Sequence, residues 1–183
     1  MSISGSQSHS HRPTPLYFYG ERAGVERARQ FGEFCLRASS LDDAPSSLLP
    51  ARPILPFGAR KTSAASRFLT LSMSAVWSEK FVLQAQTVTH CLVINDTEEF
   101  GERLHRAVQK ALPQWAGIDA AIAYGAPSPL GAAFTKSRHL APQKEWLFAW
   151  RPMRPELPLQ PIVIQIGCLD TLTEVRAMAQ TGA

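Results

Sequence analysis

A predicted strand followed at once by a capped helix, in the middle of the sequence, constrains the fold more than any other feature. Residues 87–94 (TVTHCLVI) are β-branched and nearly continuous in their apolar half, which is typical of a strand inside a sheet. Asp96 stands three residues before Glu99, the spacing of a helix N-cap with a capping box. One apolar helix face then recurs every fourth residue: Phe100, Leu104, Val108 and Leu112. Pro113 ends the predicted helix.

Strands outnumber helices in the rest of the chain. Further strands are predicted at 16–19, 34–38, 67–72, 118–124, 146–150 and 161–168. Further helices are predicted at 25–34, 75–81 and 173–180. Strands and helices do not alternate regularly, so the pattern predicts an α+β fold: mixed, mostly antiparallel sheets with a few packed helices.

The length of 183 residues suits one domain. We expect that domain to span 15–183, after a lead-in at 1–14 whose Ser, Gly, Gln and His content predicts disorder. The Ser-, Asp- and Pro-rich segment 39–58 is predicted to be a long loop, and long loops are often functional.

Composition excludes several classes of protein. No apolar run approaches the roughly 20 residues of a membrane span, and the N-terminus lacks a signal-like hydrophobic stretch, so we expect a cytoplasmic protein without a membrane partner. Three widely spaced cysteines in apolar runs predict core residues in a reducing compartment, and no spacing predicts a metal site: Cys35, Cys91 and Cys168. The net charge of +4 fits mild attraction to an anionic ligand.

The segment 133–150 (AFTKSRHLAPQKEWLFAW) holds the candidate chemistry. Glu145 begins an aromatic strand, Gln143 precedes it by two residues, and a basic loop leads into both. A strand holds such a carboxylate rigidly while the loop meets a partner. The alternative is a solvated charge that pairs with Lys144 or Lys136.

The order of these motifs resembles the ADP-ribosyltransferase-like fold and the bacterial families that share it. The motifs are an aromatic first strand (LYFYG), a helix, a short strand (FCLRASS), a strand ending in serine (RFLTLSMS) and the later Gln143-x-Glu145. The resemblance implies a transferase that uses NAD to modify a macromolecule or a small molecule. Its compact size fits use as a toxin or in phage defence.

The resemblance also implies roles for individual residues. Glu145 would stabilise the oxocarbenium-like charge that develops when the bond between nicotinamide and ribose breaks. Gln143 would contact the acceptor, on the same side of an extended chain. Ser72 would hold the nicotinamide ribose or support Glu145, with Ser74 as the alternative.

Dinucleotide binding would fall to two further groups. Arg22 or Arg37 would neutralise the pyrophosphate, because a guanidinium group suits phosphate. Tyr17 and Tyr19 would form a shelf for the nicotinamide, although packing within the sheet explains aromatic residues there equally well.

Phe18 departs from the family pattern, which has Arg or His on the first strand. This departure supports a second hypothesis: a catalytically degenerate member that binds a protein partner in immunity, regulation or assembly. A third hypothesis is nucleic-acid binding through Arg138, Arg151 and Arg154. Among the histidines, His139 in the loop before Gln143 is the candidate contact residue.

Overall fold

A computed structural model describes residues 11–40, 67–79, 88–154 and 157–178 of the chain. The elements within those ranges are β1 (Leu16–Gly20), α1 (Arg22–Phe31), β2 (Glu33–Ser40), β3 (Arg67–Ser74), β4 (His90–Ile94), α2 (Thr97–Ala111), β5 (Trp115–Ala121), β6 (Ala123–Tyr124), β7 (Thr135–Lys136), β8 (Glu145–Pro152), β9 (Ile162–Gln165) and β10 (Thr173–Ala177). Short 3₁₀ turns occupy Ala132–Phe134 and Arg138–Gln143. Of the predicted loop at 39–58, only Ser39 and Ser40 are described, at the end of β2.

Eight strands form one sheet in which every pairing is antiparallel. The strand order is β10–β4–β1–β3–β2–β9, and β8 pairs with β3 while β5 pairs with β8. The predicted α+β class with a mostly antiparallel sheet and few helices is therefore confirmed. The strand predicted at 87–94 lies inside the sheet, between β10 and β1.

The sheet splits where β1 and β2 share one edge of β3. β2 pairs with Arg67–Thr70 of β3, whereas β1 pairs with β3 through Tyr17 and Ser74. β8 runs along the opposite edge of β3 from Leu69 to Ser74. The residues at 71–73 lie between the two pairings, so the split opens beside them.

The two faces of the sheet differ in character because side chains alternate along a strand. The helices cover one face, where three aromatic side chains of β8 share a core with those of α2: Trp146, Phe148 and Trp150. The rings of Phe100 and Phe148 meet edge to face at 5.8 Å. Burial of each such side chain stabilises the fold by about 1.5–3 kcal/mol. Glu145 and Ser72 therefore point to the opposite face.

The N-cap predicted for α2 is confirmed. The Asp96 side chain accepts a hydrogen bond from the backbone N–H of Glu99 at 3.0 Å. The carboxylate of Glu99 accepts a hydrogen bond from Arg103, one turn further along the helix. Phe100 and Leu104 are buried on the predicted apolar face.

Two predicted helices are wrong. Residues 173–177 form β10, an edge strand that pairs with β4. The side chains of β10 alternate between the two faces of the sheet, as in a strand and unlike a helix. The described part of 75–81 is bent rather than helical, because Ser74 and Tyr19 bind its backbone: Ser74 Oγ accepts from Val76 N at 3.2 Å and Tyr19 Oη from Ser78 N at 2.8 Å.

The prediction of three core cysteines is correct for one. Cys91 is buried in β4, whereas Cys35 in β2 and Cys168 before β10 are exposed. Both exposed cysteines lie in apolar runs, but the alternation of β2 turns Cys35 away from the core.

The N-terminal arm packs onto the domain from within the predicted lead-in. Arg12 donates two hydrogen bonds to Asp119, at 2.7 and 2.9 Å, and its guanidinium group also forms an ion pair with Glu98. Asp119 is also hydrogen-bonded to His105 Nε2 at 2.7 Å and accepts a hydrogen bond from the indole N–H of Trp146 at 2.8 Å. His105 therefore belongs, with Arg12, to the polar cluster around Asp119.

Candidate functional site

A cavity of about 310 Å³ opens at the split in the sheet. β1, α1, β2, β3 and the start of β8 all contribute to its wall. Ser72, Gln143 and Glu145 line it together, although they are up to 73 residues apart in sequence. The fold thus brings the predicted catalytic residues to one cleft.

Ser72 and Glu145 are in direct contact. They lie on the cleft face of two paired strands, where Ser74 is the register partner of Glu145. The Ser72 hydroxyl donates a hydrogen bond to Glu145 Oε2 at 2.5 Å. The Ser72 side chain is therefore tied to the carboxylate of Glu145 across the two strands.

Glu145 is a buried, ion-paired carboxylate. The residue is 3% exposed, and Lys136 Nζ lies 2.7 and 2.8 Å from its two oxygens. The interpretation of Glu145 as a solvated charge is therefore wrong, while Lys136 is the correct member of the predicted lysine pair. Such a pairing offsets part of the cost of removing a carboxylate from water.

Tyr124 holds the backbone of the same residue. Its hydroxyl oxygen accepts a hydrogen bond from Glu145 N at 2.9 Å. Burial, together with the negative charge of Glu145, raises the pKa of Tyr124 to about 12. The phenol therefore stays protonated at neutral pH. Tyr124 was not singled out by the sequence, because its contact depends on the register of a two-residue strand.

Gln143 reaches the cleft by a route that the sequence did not predict. It ends the 3₁₀ turn Arg138–Gln143, and Lys144 then takes a left-handed conformation with φ of 41°. The chain is therefore not extended from Gln143 to Glu145, as the prediction assumed. Among the described residues, Gln143 Oε1 is a buried oxygen without a hydrogen-bond partner. Such an acceptor suits a ligand that donates a hydrogen bond.

The hydroxyl of Ser74, the alternative to Ser72, forms hydrogen bonds with backbone groups. Its hydroxyl lies 2.8 Å from the carbonyl oxygen of Val76 and 3.0 Å from that of Gln143. Ser74 therefore fixes the segments on either side of the cleft rather than the carboxylate.

The aromatic residues of β1 divide between the two faces. Phe18 packs edge to face on Phe34 of the main core at 5.3 Å. Tyr17 and Tyr19 line the cleft and also pack against Trp77. Burial raises the pKa of Tyr19 well above its usual value. Both proposed roles of the tyrosines, packing and cleft wall, are therefore compatible with their positions.

The two arginines predicted to bind the pyrophosphate lie at different places in the fold. Arg37 lines the cleft from β2, where it pairs with Thr70. Arg22 is not among the residues that line this cleft, and it forms an exposed ion pair with Glu26 at 2.8 Å. Arg27, five residues after Arg22 on α1, does line the cleft, although the sequence did not indicate it.

The remaining candidates lie elsewhere. His139 is exposed and outside the cleft lining. Arg151 lies near the end of β8 and Arg154 just beyond it, whereas Arg138 begins the 3₁₀ turn that precedes β8. Within the described parts of the chain, no group of His, Cys, Asp and Glu residues could hold a metal ion. Neither described helix has the length and apolar character that a membrane crossing requires.

Comparison with protein-family models, with curated proteins and with solved structures finds no match to this chain.

Proposed function

We propose that the protein is an ADP-ribosyltransferase-like enzyme that binds NAD in the split of the sheet and transfers ADP-ribose to an acceptor. The hydrogen bond between Ser72 and Glu145 inside a cleft beside β1 carries this proposal. It joins the two residues that the resemblance assigns to the reacting end of NAD.

The chemistry needs a fixed negative charge at that position. The bond between ribose C1′ and the nicotinamide nitrogen breaks, and its electron pair leaves with neutral nicotinamide. Positive charge then develops on the ribose until a nucleophilic acceptor bonds to C1′ and gives up a proton. A rigid carboxylate stabilises this charge, as it does in glycoside hydrolysis. Glu145, held on a strand by Ser72, supplies it.

The polarity of the cleft fits the rest of a dinucleotide. The hydrogen-bond acceptors Glu145 and Gln143 suit ribose hydroxyls or an acceptor that donates a hydrogen bond. Arg37 and Arg27 line the same cleft from β2 and α1. Thr70, the register partner of Arg37, lies about 7 Å along β3 from Ser72. A guanidinium group at that separation suits the phosphate next to the nicotinamide ribose.

Cysteine protection tests occupancy of the cleft in the wild-type protein. Cys35 lines the cleft and is exposed, so bound NAD should slow its alkylation roughly tenfold at about ten times the Kd. Cys168 is exposed outside the lining and serves as the internal control, with an unchanged rate. Cys91 should stay unmodified, since burial raises the pKa of its thiol to about 12. The rates are measured by mass spectrometry of the digested protein, and equal slowing at both exposed cysteines, or at neither, would contradict the proposal.

One observation favours a second function. Phe18 lies where the ADP-ribosyltransferase-like families that the chain resembles carry Arg or His, and its ring packs in the core rather than offering a donor to the cleft. A degenerate member that uses the fold to bind a protein partner would show this feature. That function predicts no nicotinamide release from NAD by wild-type protein, whereas the transferase predicts release that depends on Glu145.

A further inference from the structure

We propose that the protein binds an extended acidic peptide segment of a partner protein, which adds to the outer edge of β10 as a further antiparallel strand. β10 lies at one end of the sheet and, among the described residues, pairs only with β4. A groove of about 420 Å³ lies beside it, with α1 as the opposite wall. We call this the edge groove. Peptide binding there is independent of the proposed NAD cleft, because the two share no lining residue within the described parts of the chain.

The outer edge of β10 presents backbone groups to which a strand can bind. In an antiparallel pair, alternate residues point their N–H and C=O groups at the partner strand, and the intervening residues point them away. Asn95 N donates to Leu172 O at 2.8 Å and Met178 N donates to Thr89 O at 2.9 Å, so the even-numbered residues face β4. The odd-numbered residues therefore turn their backbone groups to the open edge: Thr173, Val175 and Ala177.

The side of β10 that faces the groove carries no charged side chain. Val175 and Ala177 line the groove, on the face that alternation gives to the odd-numbered residues. The two charged residues, Glu174 and Arg176, lie on the opposite face and bind each other at 2.9 Å. β10 also contains no proline. Charged side chains and prolines are features that prevent strand addition at the edge of a sheet, so β10 can accept a strand on its groove side.

The helix wall of the edge groove supplies positive charge. Arg22 pairs with Glu26 at 2.8 Å and Arg29 pairs with Asp170 at 2.7 Å, and all four side chains are at least 44% exposed. Exposed ion pairs contribute little to stability, so both arginines can bind another carboxylate at small cost. Two arginines and one glutamate are among the described lining residues, and the groove therefore favours an acidic ligand.

The edge and the charge together define the pattern of the ligand. Directly opposite residues of an antiparallel pair place their side chains on the same face. A carboxylate opposite Val175 or Ala177 therefore extends into the groove, towards α1. Every pairing in the main sheet is antiparallel, and the added strand continues that arrangement. Strand addition of this kind is a common way to recognise an extended peptide, with backbone hydrogen bonds for affinity and side chains for specificity.

A synthetic heptapeptide that alternates threonine with glutamate tests this binding mode by isothermal titration calorimetry with wild-type protein. In the antiparallel arrangement the glutamate N–H groups point at β10 and the threonine N–H groups point away. N-methylation of the glutamates should abolish binding at peptide concentrations up to about 1 mM, whereas N-methylation of the internal threonines should change the Kd by less than about twofold. No binding of the unmodified peptide, or equal binding of the two methylated forms, would overturn the proposal.

Variants of the protein test the two walls of the groove separately. Arg22→Gln combined with Arg29→Gln should weaken binding of the heptapeptide by about three- to tenfold. Arg106→Gln is the matched control, because Arg106 also forms an exposed ion pair within a helix, with Glu102, and is not among the groove lining residues. An equal loss in the control would overturn the role of α1.

Amide hydrogen exchange locates the bound peptide. Saturation with the heptapeptide should slow exchange at the backbone N–H groups of Val175 and Ala177, which point to the open edge. Ala177→Pro removes one of these donors, keeps the hydrogen bonds to β4 and should weaken binding, with circular dichroism to show that the variant is folded. Heat of binding without slower exchange at Val175 and Ala177 would overturn strand addition at β10.

Discussion

Glu145→Gln should lower the kcat for nicotinamide release from NAD by about 10²–10³-fold. Glutamine keeps the shape and a hydrogen-bond acceptor for Ser72 but removes the charge that would face the developing oxocarbenium ion. Binding of NAD should change little, because the arginines and tyrosines that line the cleft are untouched. Release is measured by chromatography of nicotinamide at saturating NAD.

Two controls make that result specific. Glu98→Gln removes an exposed carboxylate that is not among the residues lining the cleft, and it should retain wild-type turnover. Circular dichroism must show that Glu145→Gln is folded, since the variant leaves Lys136 without its charged partner. Release at the wild-type rate in folded Glu145→Gln would remove Glu145 from the chemistry.

Asp119→Ala should destabilise the protein by about 3–5 kcal/mol. Asp119 is 9% exposed at its side chain and accepts hydrogen bonds from Arg12, Trp146 and His105. Arg12 pairs with two carboxylates, those of Asp119 and Glu98. Removing Asp119 takes away one of these two partners from an arginine side chain that is only 14% exposed. The free energy of unfolding is measured by urea denaturation at pH 7.

Asp170→Ala is the matched control for that measurement. Asp170 also pairs with an arginine, Arg29 at 2.7 Å, but its side chain is 52% exposed, so the loss should be below about 1 kcal/mol. Equal losses in the two variants would contradict the account of Asp119 as a buried anchor for the N-terminal arm.

The pH dependence of the same difference has a defined sign. Burial alone would raise the pKa of Asp119, but the hydrogen bonds from His105, Arg12 and Trp146 outweigh it and hold the pKa well below its usual range. A lowered pKa gives stability that is fully present above the unfolded value of about 3.9 and lost as the pH falls through the folded value. The gap between wild type and Asp119→Ala should shrink as the pH falls below about 4. A gap that grows below about pH 4 would contradict this sign.

Sequence patterns predicted those elements that depend mainly on residues close together in the chain. The cap at Asp96 and the apolar face of α2 follow from spacing alone, and the structure has both. The pattern failed at 173–177, where alternation over five residues is too short to separate a helix from an edge strand. It failed at 75–79 because hydrogen bonds from Tyr19 and Ser74 determine the path of the chain there.

Part of the candidate site was likewise predictable from motifs in the sequence. The order of motifs indicated Ser72 and Glu145, and strand pairing then brought them together. The sequence left Lys136 and Lys144 as equal partners for Glu145, since only the β6–β7 register decides between them. Arg12, Asp119 and Arg27 gave no signal, because their contacts or positions arise from segments that meet only in the folded chain.

A crystal structure of the protein with NAD tests the central claim most directly. The account predicts the nicotinamide ribose at the split of the sheet, within hydrogen-bond distance of Glu145 and Ser72, with the phosphates towards Arg37. NAD bound elsewhere, or a cleft that stays closed to it under saturating conditions, would contradict the claim that these strands form a nucleotide site.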